Sequence, residues 1–452
     1  MATIKRKRKT QMAAKPKDPT TVIAEREMVT CDVAMTSHAG HLSIEALAGV
    51  IDAKRYNIAS GYLKNPATFF QPLRPHARRW RSVRILRAEV GDLHEILHSP
   101  APNLRTLCVR GSDSWPGELD WHASDLFGGD PPGLHELELV RVPLPLSSPM
   151  FAGLTRLHLQ HITFTRSTIQ QLLYNMSKCP SLEEFTLACI HFAALAQADL
   201  DLMATIGVVR LSRLRVIGLY TMERAVIRAI LSALSAPSIQ SICATSKGPM
   251  TLRSALPPKS HLPEIFPFLP RIPRLYVRHY IIIQGIHEWY LRGGTSQRSR
   301  PDSPEMLYIT GQAATHQDIQ NMISGIGHDL PFINLKTLYI ADIHANTMAA
   351  YTAMLGNLPT ITLLELKNCS VDAVQALMVT DTSHLCPLLR ELILIRVPVD
   401  DACLIAFAES RARGGNHPVH LHKIEVKSSR KMTASAVEEL AGLSIAVEWD
   451  GI

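Results

Sequence analysis

The sequence predicts an α/β solenoid: a curved parallel sheet on the concave side, with helices and loops outside. Three observations predict it. A short apolar phrase recurs down the chain, its copies lie on average about 29 residues apart, and stretches of helical spacing separate them. The phrase is apolar-x-x-apolar-x-apolar, often with proline two residues before. It reads Pro-Asn-Leu-Arg-Thr-Leu-Cys-Val from Pro102 and Pro-Gly-Leu-His-Glu-Leu-Glu-Leu from Pro132. Later copies read Pro-Thr-Ile-Thr-Leu-Leu-Glu-Leu from Pro359 and Pro-Leu-Leu-Arg-Glu-Leu-Ile-Leu from Pro387.

The first apolar residue of the phrase falls at Leu104, Leu134, Leu154, Leu182, Leu214, Ile239, Ile272, Pro304 (a weak copy), Leu335, Ile361, Leu389 and Leu421. Trp80, Val83 and Ile85 form an earlier copy, and Leu443, Ile445 and Val447 close the series. Period and phrase are those of leucine-rich repeats, in which each unit gives a short strand and then a helix or turn. The last two apolar positions alternate with exposed ones, as a half-buried strand requires. Helical spacing marks 166–178, where Ile169, Leu172, Leu173 and Met176 share a face, and 222–235, where Val226, Ile227, Ile230, Leu231 and Leu234 do. It also marks 314–326, 346–356, 400–410 and 433–442. One unit cannot bury its apolar face alone, but stacked neighbours can. A doubly wound sheet is the rival fold, and the Gly-rich first turn it usually shows is absent from the sequence.

The chain divides accordingly. Residues 1–40 are a disordered basic segment, 41–72 a short helical segment carried by Leu42, Ile44, Leu47, Val50 and Ile51, and 73–452 the leucine-rich-repeat solenoid. Loop inserts lie near 111–133, 246–273 and 293–304; the second carries seven prolines, which forbid a regular helix.

Composition bounds the function. At 452 residues the chain is too long for one ordinary core, and 46% hydrophobic with 19% charged residues excludes collagen and a wholly disordered chain. The net charge of +7 comes from Lys5, Arg6, Lys7, Arg8, Lys9, Lys15 and Lys17; from Asp18 onward the charges balance. The basic balance thus belongs to a tail, which argues against a nucleic-acid partner; Lys5–Lys9 is a weak nuclear signal. The eight cysteines show no zinc-finger or CxxC spacing, the first thirty residues lack a signal-peptide core, and no apolar run is long enough to span a membrane. These point to an intracellular protein with reduced thiols, in nucleus or cytoplasm. The sequons at Asn175 and Asn368 then carry no weight.

Residues Leu73-Arg-Pro-His-Ala-Arg-Arg-Trp-Arg-Ser-Val83, followed by Pro102-Asn-Leu-Arg-Thr-Leu107 and the array behind them, resemble the leucine-rich-repeat region of fungal F-box proteins over roughly 70–450. The resemblance implies substrate recognition in a cullin-based ubiquitin ligase: an F-box docks a Skp1-type adaptor and the repeats hold a protein substrate on the concave face. Residues 41–72 then read as an F-box remnant. Residues 18–70 show no Leu-Pro-x-Glu start, so no F-box residue is assigned. The alternative is a stand-alone repeat scaffold without a ligase role.

The exposed strand position between the last two apolar residues gives one column: Arg84, Cys108, Glu138, His158, Thr186, Gly218, Cys243, Tyr276, Tyr308, Tyr339, Glu365, Ile393 and Glu425. Tyr276, Tyr308 and Tyr339 should stack on adjacent strands, flanked by Arg274 and Arg278, and this row is the candidate partner-binding site. A self-stacked ladder that only stabilises the sheet is the competing reading. Glu136, Glu138 and Glu184 with Arg156 and His158 read as a solvated mixed face. His417, His420 and His422 follow a Gly-Gly start and read as loop rather than metal site. No metal or cofactor is expected. The sequence holds no GxSxG elbow, phosphate loop or HExxH, and His287-Glu288 is a lone pair; no enzyme is expected.

Overall fold

The computed structural model describes residues 37–38, 41–47, 71–88, 93, 97–111, 126–129, 132–193, 208–257, 261–281, 287–295, 306–344, 348–413, 421–429 and 431–451. They fall into two compact units, within 37–132 and within 133–451. The basic run Lys5–Lys9, most of the 1–40 segment, residues 48–70, most of the inserts near 111–133 and 293–304, and His417 and His420 lie outside the described residues.

The first unit holds β1 (Ser37–His38), β2 (His41–Leu47), β3 (Trp80–Ala88) and β4 (Thr106–Gly111). β1 and β2 pair antiparallel; β2, β3 and β4 pair parallel, with Ile44 opposite Val83 and Ala46 opposite Ile85. The expected helix over 41–72 is therefore a strand at its start: Leu42, Ile44 and Ala46 recur at period two, and pairing to β3 decides between that period and the helical one. A 3-10 helix, Gln71–Arg79, leads into β3, and Ala77, Trp80, Val83 and Ile85 are buried. Asn103 Nδ2 donates to Arg78 O at 2.6 Å, tying the helix to the turn before β4.

The second unit is larger. Its strands are β5 (Glu136–Val140), β6 (Arg156–Gln160), β7 (Thr163–Phe164), β8 (Glu184–Ala188), β9 (His191–Phe192), β10 (Val209–Arg210) and β11 (Val216–Met222). There follow β12 (Leu234–Ser235), β13 (Ser241–Pro249), β14 (Arg274–Ile281), β15 (His287–Gly294), β16 (Leu307–Ala313) and β17 (Thr337–Ala341). β18 (Leu363–Lys367), β19 (Glu391–Ile395), β20 (Lys423–Lys427) and β21 (Ala446–Trp449) complete them. Helices form in the six stretches of helical spacing: α1 (Ile169–Ser177), α2 (Arg224–Ala233), and, after the two four-residue helices α3 (Leu252–Ala255) and α4 (Leu262–Ile265) of the proline-rich insert, α5 (His316–Gly325). The remaining ones are α6 (Met348–Gly356), α7 (Asp372–Ala376), α8 (Asp401–Arg413) and α9 (Ala434–Gly442), of which only α7 lies outside those stretches. Thr168 and Thr315 open α1 and α5 with reciprocal capping boxes that satisfy first-turn N–H groups.

The main sheet runs β5-β6-β8-β11-β13-β16-β15-β14-β17-β18-β19-β20-β21. β15 is antiparallel to both its neighbours, β14 and β16. The predicted leucine-rich-repeat solenoid is thus corrected: this is a mixed α/β fold on a large sheet with antiparallel stretches, not an array of regular all-parallel units. The physical reason is β15. Its Trp289, Leu291 and Gly293 face the core while Tyr290 and Arg292 do not, an alternation that makes a good strand but carries no repeat phrase. Folding back on β14, it places itself between β14 and β16, so β13 pairs with β16 and β14 with β17. The resemblance to F-box proteins rested on regular repeats and goes with them. So do the substrate-recognition function, the stand-alone repeat scaffold, the concave-face protein substrate and the Skp1-type adaptor, which all presuppose that architecture.

Core packing follows the strand alternation. Leu137, Leu157, Phe185, Ile217, Ile242, Leu307, Leu275, Leu338, Leu364, Leu392 and Ile424 are each almost wholly buried. Gly311 on β16 lies 3.0 Å, measured from where its Cβ would stand, from both Met250 and the Trp289 ring, so a side chain there would require these neighbours to shift. Trp289 Nε1 donates to Met250 O at 3.2 Å. Cys108, Cys179, Cys369 and Cys386 are buried, and the cysteines among the described residues are free thiols. The Asn175 sequon is buried, with its amide on Leu146 O at 2.5 Å, and cannot receive a glycan.

A left-handed residue ends strand after strand: Arg141, His161, Cys189, Asp342, Asn368, Arg396 and Ser428 each follow a strand at φ between 48° and 61°. Most of their N–H groups donate to the last carbonyl of the neighbouring strand: Arg141 to Gln160, His161 to Ala188, Asp342 to Lys367, Asn368 to Ile395 and Arg396 to Lys427, all at 2.8–2.9 Å. Thr221, at φ 54°, instead donates to Thr245 Oγ1 at 2.5 Å. A β-branched residue is the poorest choice for this conformation. Thr221→Gly keeps the N–H and relieves the strain, so it should raise stability by about 0.5–1 kcal/mol, read as a shift of the urea midpoint at unchanged slope.

Arg411 of α8 holds the other side. Its guanidinium donates to Leu377 O at 3.2 and 2.8 Å, to Leu385 O at 2.6 Å and to Cys386 O at 3.1 Å. Burial lowers its pKa to about 10, so it stays charged at neutral pH. Arg411→Met leaves three carbonyls without their donor and should cost about 3 kcal/mol by urea unfolding; Arg411→Lys, a single-point donor, should recover less than half of that.

Candidate functional site

From Glu138 onward the register places the predicted column on one row, with one insertion. Glu138, His158, Thr186, Gly218 and Cys243 stand side by side as expected. Cys243 then meets Tyr308, Tyr308 meets Arg292, Arg292 meets Tyr276, and Tyr276 meets Tyr339. Glu365, Ile393, Glu425 and Glu448 continue the row. The three tyrosines are therefore not consecutive. Tyr276 and Tyr339 stack, with ring centroids 4.2 Å apart and planes 5° from parallel, whereas Tyr308 is separated from Tyr276 by the Arg292 strand position.

The second row, two residues further along, sets Thr310, Tyr290, Arg278, Ala341 and Lys367 side by side. Tyr290 stacks on Tyr308 at 6.3 Å and meets Tyr280 at 6.3 Å with the planes tilted by 57°. Tyrosine and arginine thus alternate along β15 and β14 and across them from Tyr308 to Tyr276, while β16 and β17 each add one tyrosine and no arginine. Arg274 lies on the row below, opposite Gly294 and Thr337. All five predicted residues, Tyr276, Tyr308, Tyr339, Arg274 and Arg278, stand on this one face. The residues missed are Tyr280, Tyr290, Arg292, Glu288 and Asp342. The alternation Glu288-Trp-Tyr-Leu-Arg292 was the signal for the strand that carries three of them.

Asp342 organises one end. It occupies the left-handed corner after β17, a conformation aspartate tolerates. Its carboxylate accepts from Arg278 Nε at 2.6 Å and from Asn368 Nδ2 at 2.7 Å, and its N–H donates to Lys367 O. Burial pushes the Asp342 carboxyl up, but the Asn368 amide and the Arg278 guanidinium outweigh it and hold the group below its usual range. Arg278 is held charged first by its hydrogen bond to Tyr290 and then by Asp342. Tyr280 Oη donates to Glu288 at 2.5 Å, and burial together with that contact pushes the phenol up to about 12. Burial also pushes Tyr339 up to about 12, with Tyr276 adding to it.

Past Tyr339 the face becomes a mixture of acidic and basic side chains. Burial raises the Glu365 carboxyl, Lys367 opposes and Glu425 adds. Glu425 itself is held low, first by Lys427, and pairs with Lys427 and Lys423. At the far end of the same sheet, Arg156 lies 3.4 Å from both Glu136 and Glu184, a solvated ion-pair ladder of little energetic weight. Among the described residues no group of three or more metal-ligating side chains could hold an ion, and no helix is long and apolar enough to cross a membrane.

In comparisons with known proteins, no family model matches the chain. No curated protein matches it either.

The Tyr276–Tyr339 stack should be energetically real. A double-mutant cycle with Tyr276→Ala and Tyr339→Ala should return a coupling of about 0.5–1.5 kcal/mol in urea unfolding.

Proposed function

We propose, against the expectation drawn from the overall charge balance, that the protein is a non-catalytic binding protein whose β16–β15–β14–β17 face takes single-stranded nucleic acid. One observation carries this: the register interleaves tyrosine rings with arginine guanidinium groups, Tyr308–Arg292–Tyr276–Tyr339 on one row and Tyr290–Arg278 on the next. Single strands are bound without deep pockets, by aromatic faces on which bases stack and by cations that follow the phosphates. Sheets are good platforms for this because alternate side chains stand on a common open surface. Arg274 and Arg278 lie four residues apart on one strand, about 13 Å, so the cations spread along the surface rather than converge on one anion. The non-catalytic reading draws support from the sequence, which carries no nucleophile elbow, phosphate loop or paired zinc-histidine motif.

Fluorescence anisotropy with a labelled 12-nucleotide single strand tests the proposal. The full chain should bind in the micromolar range, and three arginine–phosphate contacts should contribute about −2 to the slope of log affinity against log salt. Tyr276→Ala with Tyr308→Ala should weaken binding by about 1–3 kcal/mol per base unstacked. Arg292→Ala and Arg278→Ala should each lower the salt slope, while the contribution of the basic tail survives all of these substitutions. Affinity unchanged by the tyrosine pair, or equal affinity for heparin, would overturn the assignment.

A further inference from the structure

Directly behind the Tyr–Arg face, on the core side of the β14–β15 hairpin, four imidazoles meet. His279 of β14 is 5% exposed. Its ring stacks on that of His287 of β15, centroids 5.1 Å apart and planes 13° from parallel. His287 meets the ring of His316, the first residue of α5, edge-on at 5.2 Å. His344 faces His279 from the segment after β17.

The hydrogen bonds fix the protons. His279 Nδ1 lies 3.1 Å from the carbonyl of Asp342, which can only accept, so Nδ1 carries a hydrogen. His279 Nε2 lies 2.9 Å from His287 Nδ1, and in the neutral pair it must therefore accept from His287 Nδ1–H. One further proton fits only on His287 Nε2. A second would have to enter between the rings, set two N–H groups against each other and break the bond.

Among the described residues, the carboxylates nearest in the fold are engaged elsewhere. Asp342 gives His279 its carbonyl, while its carboxylate is committed to Arg278 and Asn368. Glu288 is turned to Tyr280 on the opposite face. The neighbouring stretches 282–286 (Ile-Ile-Gln-Gly-Ile) and 345–347 (Ala-Asn-Thr) contain no titratable residue. From the described elements packed against it the pair meets His316 of α5, whose neighbour Asp318 is engaged by the Ala314 and Thr315 N–H groups, and His344 acts on His279 from after β17.

We propose that the His279–His287 hydrogen bond is a proton-operated latch that holds the hairpin end closed at neutral pH and releases it on acidification. It ties together the last pairs of the β14–β15 ladder, His279 with Trp289 and Ile281 with His287. Through Asp342 it also fixes the corner that positions Arg278. Its effect on ligand binding rests on the reading of the face given above.

The sign follows from the closed state. Burial, reinforced by His287, His344 and His316 and opposed by the Asp342 carbonyl, lowers the His279 pKa below its ordinary 6.5. Above 6.5 His279 is neutral in both closed and open states and the latch has full strength. As pH falls below 6.5 the open state takes up protons first, and stability of the hairpin end declines until the lower closed-state pKa is reached. Each proton taken up on opening shifts the equilibrium about tenfold per pH unit.

Amide hydrogen exchange of the full chain at pH 7.5 and 5.0, corrected for intrinsic chemistry, tests the latch. Peptides covering 274–295 should lose protection about tenfold or more at pH 5.0, while those covering 363–395 should not. The H279Q/H287Q variant should show no pH-dependent loss in the hairpin. Equal protection of the wild-type hairpin at both pH values would overturn the proposal. So would His279 and His287 titrating independently at ordinary midpoints in histidine NMR of the wild type, a readout that needs no variant to fold. Oligonucleotide affinity should fall across the same window. Exchange that responds while affinity does not would overturn the coupling to the face, and the Tyr–Arg reading is decided separately at pH 7.5.

Discussion

The structure depends on how a five-residue parallel strand ends. A parallel ladder leaves its final N–H short of a partner unless the chain turns sharply there. In this protein a residue in the left-handed conformation follows one strand after another, and its N–H is given to the closing carbonyl of the next strand. The same geometry turns the chain away from the strand at each of these positions and fixes where the strand stops. The positions are filled by Arg, His, Cys, Asp, Asn and Ser rather than glycine, so the conformation is imposed by the hydrogen bond and the packing around it, against local preference.

This explains what was legible in the sequence. The apolar phrase reports strand and core, and it located Leu137, Leu157, Phe185, Leu338, Leu364 and Leu392, all buried. Helical spacing between copies reported the helices. The order of strands was not legible, because the phrase says that a strand forms and nothing about which neighbour it takes. β15 lacks the phrase, yet its pairing decides the topology and turns an expected all-parallel array into a mixed sheet. His41–Leu47 shows the same ambiguity on a smaller scale: a short apolar run fits two periods, and the neighbouring strand chooses. The corners were invisible because no glycine marks them.

The candidate face was half legible. Tyr276, Tyr308, Tyr339, Arg274 and Arg278 share it because alternation along a strand is a local property. Their spacing across the sheet is not local. Arg292 between two tyrosines, and Asp342 holding Arg278 from a residue 64 positions away, arise from pairing and from a corner. The histidine pair behind the face has the same origin. Its partners sit on both strands of the hairpin, at the start of α5 and after β17, and their separation in sequence hides them.

The reversal at β14, β15 and β16 also dictates how the chain can be assembled. From β13 the backbone must pass over two strand positions before laying down β14, and from β16 it passes over two more to reach β17. Elsewhere in this sheet each strand pairs with one laid down before it, after a single crossover connection. Here the three strands and both crossings gain their contacts together or not at all, since β16 has no place until β13 is present, and β17 none until β14 is. The sheet therefore grows as two zippers separated by one block. Pulled from its C-terminus, it would peel strand by strand from β21 to β17 and then resist as a single unit.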